Sequence, residues 1–91
     1  MRKKITVIGL GYVGISISIL ISQKHNVIGY DIDKEKVDLI NKGVSPIHDD
    51  TISKFLVEKK LSLEVTSDYD YSINNPDFII IALPTNFSDL D

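Results

Sequence analysis

The chain has 91 residues, 43% of them hydrophobic and 25% charged, with a net charge of −3. That length bounds it to one domain, and the composition is that of an ordered soluble protein rather than a disordered one. The small acidic excess argues against a nucleic-acid surface, which needs a basic one. The absence of cysteine excludes a disulfide framework, a thiolate metal site and a thiol nucleophile within these residues.

Met1-Arg2-Lys3-Lys4 followed by an apolar run looks like the start of a signal peptide, but glycines break the run at once and no small-residue cleavage site follows. No apolar run reaches the ~18–20 residues that span a bilayer. The expectation is a cytoplasmic protein with no membrane and no nucleic-acid partner.

Residues 4–8 are rich in β-branched side chains and predict a strand covered on both faces. A helix is predicted over about residues 12–24. Val13, Ile17, Leu20 and Ile21 recur on it at helical spacing, and Ser16, Ser18 and Ser22 are small enough for close packing. Residues 26–31, "NVIGYD", read as a second strand. Asp33 is placed to cap a second helix whose apolar face carries Val37 and Ile40, with Gly43 as its stop. After the connector "VSPIHDD", Asp49 or Asp50 caps a further helix with Ile52, Phe55 and Leu56 on its stripe. "LSLEVTS" alternates as an edge strand, "DYDYSINNPD" holds one helical turn at best, and "FIIIALP" is the most apolar strand, ended by Pro84.

The order β-α-β-α-α-β-(α)-β implies an α/β fold: a Rossmann-like parallel sheet with helices on both faces, right-handed crossovers and strand order 3-2-1-4. The fourth strand would then end the sheet with an apolar edge, a template for self-association.

Gly9-x-Gly11-x-x-Gly14 lies between the first strand and the first helix, and Asp31 closes the second strand 22 positions after Gly9. Alone, such a glycine pattern says little; with strand, helix and acid in place it is the dinucleotide-binding fingerprint. Gly9 permits the tight turn, Gly11 lets a pyrophosphate approach the backbone, and Gly14 lets the helix lie against the sheet. The amides of Tyr12 and Val13, at the positive end of the helix dipole, are the expected phosphate donors. Asp31 is expected to accept from the adenosine ribose hydroxyls. It would repel a 2′-phosphate by about 4 kcal/mol per charge pair at 4 Å and an effective dielectric of 20. No arginine follows it, so NAD is the expected cofactor; Lys34 and Lys36 are weak compensators.

"IGLGYVG", "VIGYDID..KV..IN.G.SPI.D", "KKL" and "IIIALPTN", in that order, resemble the N-terminal portion of the UDP-glucose/GDP-mannose dehydrogenase family, and most of all its bacterial UDP-glucose-oxidising branch. The resemblance implies the first quarter of an enzyme that oxidises UDP-glucose to UDP-glucuronate in two NAD-dependent steps. It also implies that the catalytic cysteine and its lysine, asparagine and aspartate partners lie downstream, so these 91 residues alone would be inactive and carry no catalytic residue. It adds three site residues: Lys36, reaching the ribose beside the acid, and Pro84 and Thr85 at the end of the fourth strand. The family often has threonine where Leu83 stands.

His25 and His48, far apart and without paired ligands, read as ordinary surface histidines, Asp49-Asp50 as a helix cap, and Tyr69 and Tyr71 as packing residues. Two other readings share the glycine loop. Another NAD dehydrogenase, of the 6-phosphogluconate or hydroxyacyl-CoA kind, does not account for the "SPI" connector. A regulatory nucleotide-sensing module of a channel or transporter usually carries a glycine-aspartate pair where this chain reads "VTSDYD".

Overall fold

Lys4–Ile8 forms β1, and its branched side chains suit a pleat covered on both sides: Ile5, Thr6 and Val7 are all buried. The computed structural model describes residues 1–45, 51, 52, 54, 56 and 61–82. Around β1 stand β2 (Asn26–Tyr30), β3 (Leu63–Thr66) and β4 (Phe78–Ile81). All pairings are parallel and the order is β3-β2-β1-β4, as the alternation of elements implied. Three helices lie wholly within the described residues: α1 (Tyr12–Ser22), α2 (Lys34–Asn41) and the single turn α3 (Tyr69–Ser72).

Side chains alternate across the sheet with the strand period of two. Ile5, Val7 and Val27 point to the side where Ile17 and Ile21 of α1 pack. Leu10, Ile15 and Ile19 meet Val37 and Ile40 of α2, Val65 of β3 and Ile52 in a second cluster, which Leu56 borders. Thr51, Ile52, Lys54 and Leu56 are helical, as the stripe there predicted; Phe55, Asp49, Asp50 and His48 lie outside the described residues. On the opposite face Thr6 Oγ1 donates to the Ser72 carbonyl of α3, and Tyr30 meets Tyr69 edge-to-face with ring centroids 5.3 Å apart. Helices thus cover both faces, as expected for this fold class.

The caps follow the sequence signals. Asp33 accepts from the Glu35 and Lys36 amides at 3.1 and 3.2 Å, and Gly43 takes φ 79°, where a side chain would be strained. Asp68 caps α3 by accepting from Tyr71 N–H.

One expectation needs correction. Val13 and Leu20, placed on the apolar face of α1, are exposed, at 59% and 69%. The face against the sheet is Gly14, Ser18 and Ser22, the last two among the small residues expected to pack closely, flanked by isoleucines that include the expected Ile17 and Ile21. The helix is apolar nearly all round, so periodicity alone did not choose its buried side; the sheet took the smallest residues, which allow the closest approach. The helix also stops at Ser22, not Lys24, where the Lys24 and His25 amides both turn back to the Ile21 carbonyl. β2 ends at Tyr30, one residue short of Asp31, and β4 is described only as far as Ile81 and Ala82.

Candidate functional site

The site is built at the carboxyl ends of β1 and β2. Gly9 leaves β1 with φ 98°, and its N–H donates to the Tyr30 carbonyl at 2.9 Å. Gly11 is the N-cap of α1 and offers no side chain; its carbonyl accepts from Ile15 N–H at 2.9 Å, opening the helical ladder. Among the described residues, the Tyr12 and Val13 amides meet no protein acceptor. A helix entry without a side-chain cap leaves such donors for an anion.

The two following glycines of the loop differ in kind. A Cβ on Gly11 would meet nothing within 4 Å, so the space above its backbone is open. A Cβ on Gly14 would lie 1.7 Å from the Gly9 carbonyl oxygen. Gly14 therefore clears the loop itself; toward the sheet side its nearest neighbour, Ala82 Cβ, would stand at an ordinary 3.5 Å.

Asp31 lies directly beyond β2 with 12% of its side chain exposed. Oδ2 accepts from the Leu10 amide at 2.9 Å and from Lys36 Nζ at 3.3 Å, while Oδ1 accepts from the Asp33 amide at 2.9 Å. Burial pushes this carboxyl up, but the Asp33 and Leu10 amides and the Lys36 ammonium together outweigh it and hold it below its ordinary value. It is thus an anion at neutral pH. Lys36, on the first turn of α2, is fixed beside it by the Asp33 cap rather than left as a solvated helix residue.

A cavity of about 260 Å³ joins these parts, lined by Ile8, Gly9, Gly11, Tyr30, Asp31, Ile32 and Lys36. The structure thus brings together the glycine loop, Asp31 and Lys36. Pro84 and Thr85 lie outside the described residues, as does Leu83. Sequence reasoning passed over Leu10, whose amide binds the acid, and Ile32, which lines the cavity at 81% exposure. The signal for Ile32 was a large apolar residue set between two aspartates, where no core pattern needs one. His25 is half-buried, its Nδ1 accepting from the Lys3 amide, and no cluster of three or more His, Asp or Glu that could hold a metal forms among the described residues.

An open gap at Gly11 and a carboxylate that line one cavity, with two amides next to Gly11 that meet no acceptor among the described residues, fit a dinucleotide: phosphates at the loop, a ribose at the acid. Residues 3–90 match the NAD-binding domain of the UDP-glucose/GDP-mannose dehydrogenase family. The chain belongs to that family. NAD is accordingly its cofactor. It is 46% identical over 84 residues to the UDP-glucose 6-dehydrogenase of Streptococcus pneumoniae, covering 92% of this chain and 21% of that protein. Among solved structures it is similar to a GDP-mannose dehydrogenase ternary complex from Pseudomonas aeruginosa (35% identity, TM-score 0.83, 94% of this chain and 20% of that one). It is also similar to the UDP-N-acetyl-mannosamine dehydrogenase Cap5O of Staphylococcus aureus (30% identity, TM-score 0.79, 90% and 19%). The chain spans about one fifth of the length of each of these relatives.

Proposed function

We propose that this chain is the NAD-binding portion of a nucleotide-sugar dehydrogenase that oxidises UDP-glucose to UDP-glucuronate in two NAD-dependent steps, with the substrate and catalytic portions supplied outside these 91 residues. The observation that carries the reading is one cavity lined by both the open Gly11 backbone and the Asp31–Lys36 pair. The choice of UDP-glucose rests on the likeness to the pneumococcal enzyme. A cytoplasmic setting suits such a substrate; no helix among the described residues is long and apolar enough to cross a membrane.

NAD supplies the hydride acceptor; the chain's own part is to bind and orient it. The Tyr12 and Val13 amides receive the pyrophosphate, helped by the helix dipole by about 0.3–1 kcal/mol, or up to about 2 where partly buried. Three hydrogen bonds already occupy Asp31 out of the roughly four a carboxylate can accept. It therefore has room for one ribose hydroxyl, and the neighbouring Lys36 ammonium donates to the other. Ile32 offers an apolar surface to the adenine. Pro84 and Thr85 follow β4 in the sequence; ligands bind beyond the carboxyl ends of the strands in open α/β folds, and the family resemblance assigns the hydroxyl or amide of Thr85 to the cofactor.

Calorimetric titration of the chain with NAD and NADP tests the reading. Lys36 offsets part of the repulsion between Asp31 and a 2′-phosphate, so NAD should bind about tenfold to a hundredfold more tightly. Asp31→Ala should weaken NAD and narrow that margin. Equal affinity of the unmodified protein for both cofactors would defeat the role given to Asp31.

A further inference from the structure

The Asp31 carboxylate joins two segments of backbone as well as facing the cavity. Oδ2 takes the Leu10 amide, in the middle of the glycine loop, and Oδ1 takes the Asp33 amide, at the cap of α2. Leu10 is no spacer: its side chain is 1% exposed and sits in the core with Ile15 and Val65. Gly29 makes room for it, since a Cβ there would stand 2.9 Å from Leu10 Cδ2. The ends of the loop are tied by Gly9 N–H to the Tyr30 carbonyl and by Ile15 N–H to the Gly11 carbonyl; between them it is held from below by the Leu10 side chain and from beside by the acid, while the Tyr12 and Val13 amides meet no protein acceptor among the described residues. Between those two backbone bonds, no other hydrogen bond to the loop backbone than the one from Leu10 to Asp31 is found among the described residues.

We infer that Asp31 is a positioning residue for the pyrophosphate loop: through the Leu10 amide it holds residues 10–13 in their phosphate-receiving shape before the cofactor arrives. This builds on the NAD-site reading above and adds a consequence to it. The two ends of the site are coupled, so removing the carboxylate weakens binding of a ligand that has no ribose hydroxyl for it to meet.

The probe is NAD whose adenosine carries a 2′,3′-dideoxyribose, which keeps the pyrophosphate and lacks both hydroxyls. Asp31→Asn leaves one carbonyl oxygen to serve two amides and turns an NH2 toward the other. Asp31→Glu keeps the charge but moves both oxygens by a methylene, and replaces the Asn variant if that one fails to fold. By chemical-shift titration each variant should bind the dideoxy probe about tenfold more weakly than the unmodified protein, the scale of one charge-assisted amide bond. In the ligand-free variants the Leu10 amide should exchange about tenfold faster while the β1 and β2 amides keep their protection. Either an unchanged probe affinity or an unchanged Leu10 exchange rate overturns the inference. Should NAD leave the amide shifts of residues 9–14 unmoved in the unmodified protein, the site reading fails instead, and Leu10 exchange still decides whether Asp31 orders the loop.

Discussion

Gly11→Ala and Gly14→Ala are the same chemical change three residues apart, and the structure assigns them opposite consequences. At Gly14 the new methyl would sit 1.7 Å from the Gly9 carbonyl oxygen and 2.8 Å from its carbon, both backbone atoms. Reaching an ordinary carbon–oxygen contact of ~3.3 Å requires loop and helix to separate by about 1.6 Å. Overpacking of this kind costs about 1–3 kcal/mol, and with rigid main chain on both sides the upper figure applies. In a domain of this size about 3 kcal/mol lowers the Tm by roughly 12–24 °C. At Gly11 the methyl meets nothing within 4 Å, and φ −73°, ψ −166° is open to any residue. Stability should hold, or rise by up to about 1 kcal/mol as the unfolded chain loses freedom. The methyl would nevertheless fill the gap into which the phosphates come. Losing one amide–phosphate bond, about 1.5–3 kcal/mol, weakens NAD by about 10- to 150-fold. Thermal unfolding followed by circular dichroism, with NAD titration by calorimetry, separates the two. A Gly11→Ala protein that binds NAD as the unmodified one does would refute the phosphate position, and one as unstable as Gly14→Ala would refute the clearance argument.

Ser18 is 1% exposed and its hydroxyl has no hydrogen-bond partner among the described residues; Ser18→Ala should raise stability by about 1 kcal/mol in urea unfolding, and a loss would mean the hydroxyl is satisfied. The Asp31 carboxyl lies below its usual 3.8 in the folded protein, so the unfolded chain takes up its proton first. Its stabilisation is complete above about pH 5 and drains away as pH falls toward and through the folded value. Asp31→Asn should flatten the fall of the urea midpoint as pH drops below about 5, and an unaltered slope would remove Asp31 from that dependence. Phe78, Ile79 and Ile81 of β4 are exposed and, among the described residues, the strand pairs on one side alone. The chain is expected to self-associate there and Ile79→Lys with Ile81→Lys to suppress it, which sedimentation at rising concentration reads directly; an unmodified protein that stays monomeric throughout would exclude the contact.

Features written in local residue chemistry were legible in the sequence. The glycine spacing, Asp31 at the end of β2, the Asp33 cap, the Gly43 stop and the parallel order all follow from what single residue types permit or forbid. What escaped depends on which of several similar residues the rest of the chain selects. α1 offers isoleucines, leucine, valine and serines on nearly every side, so only the sheet could choose among them. Leu10 falls in an unspecified position of the glycine pattern, and its burial depends on Gly29, a residue 19 positions away whose missing side chain makes the pocket. Lys36 was legible through family resemblance alone, because a lysine on the first turn of a helix carries no mark of what it faces until the cap below it is in place.

The seating of α1 has a mechanical side. Gly14, Ser18 and Ser22 form a shallow keel toward the strands, with Ile15 and Ile19 along one flank and Ile17 and Ile21 along the other. A helix straddled in this way cannot roll about its long axis without driving one isoleucine row into the sheet. The azimuth at which its opening N–H vectors point is therefore governed five to ten residues downstream, and a bulky replacement at Ser22 would misaim them with no contact to the cofactor at all.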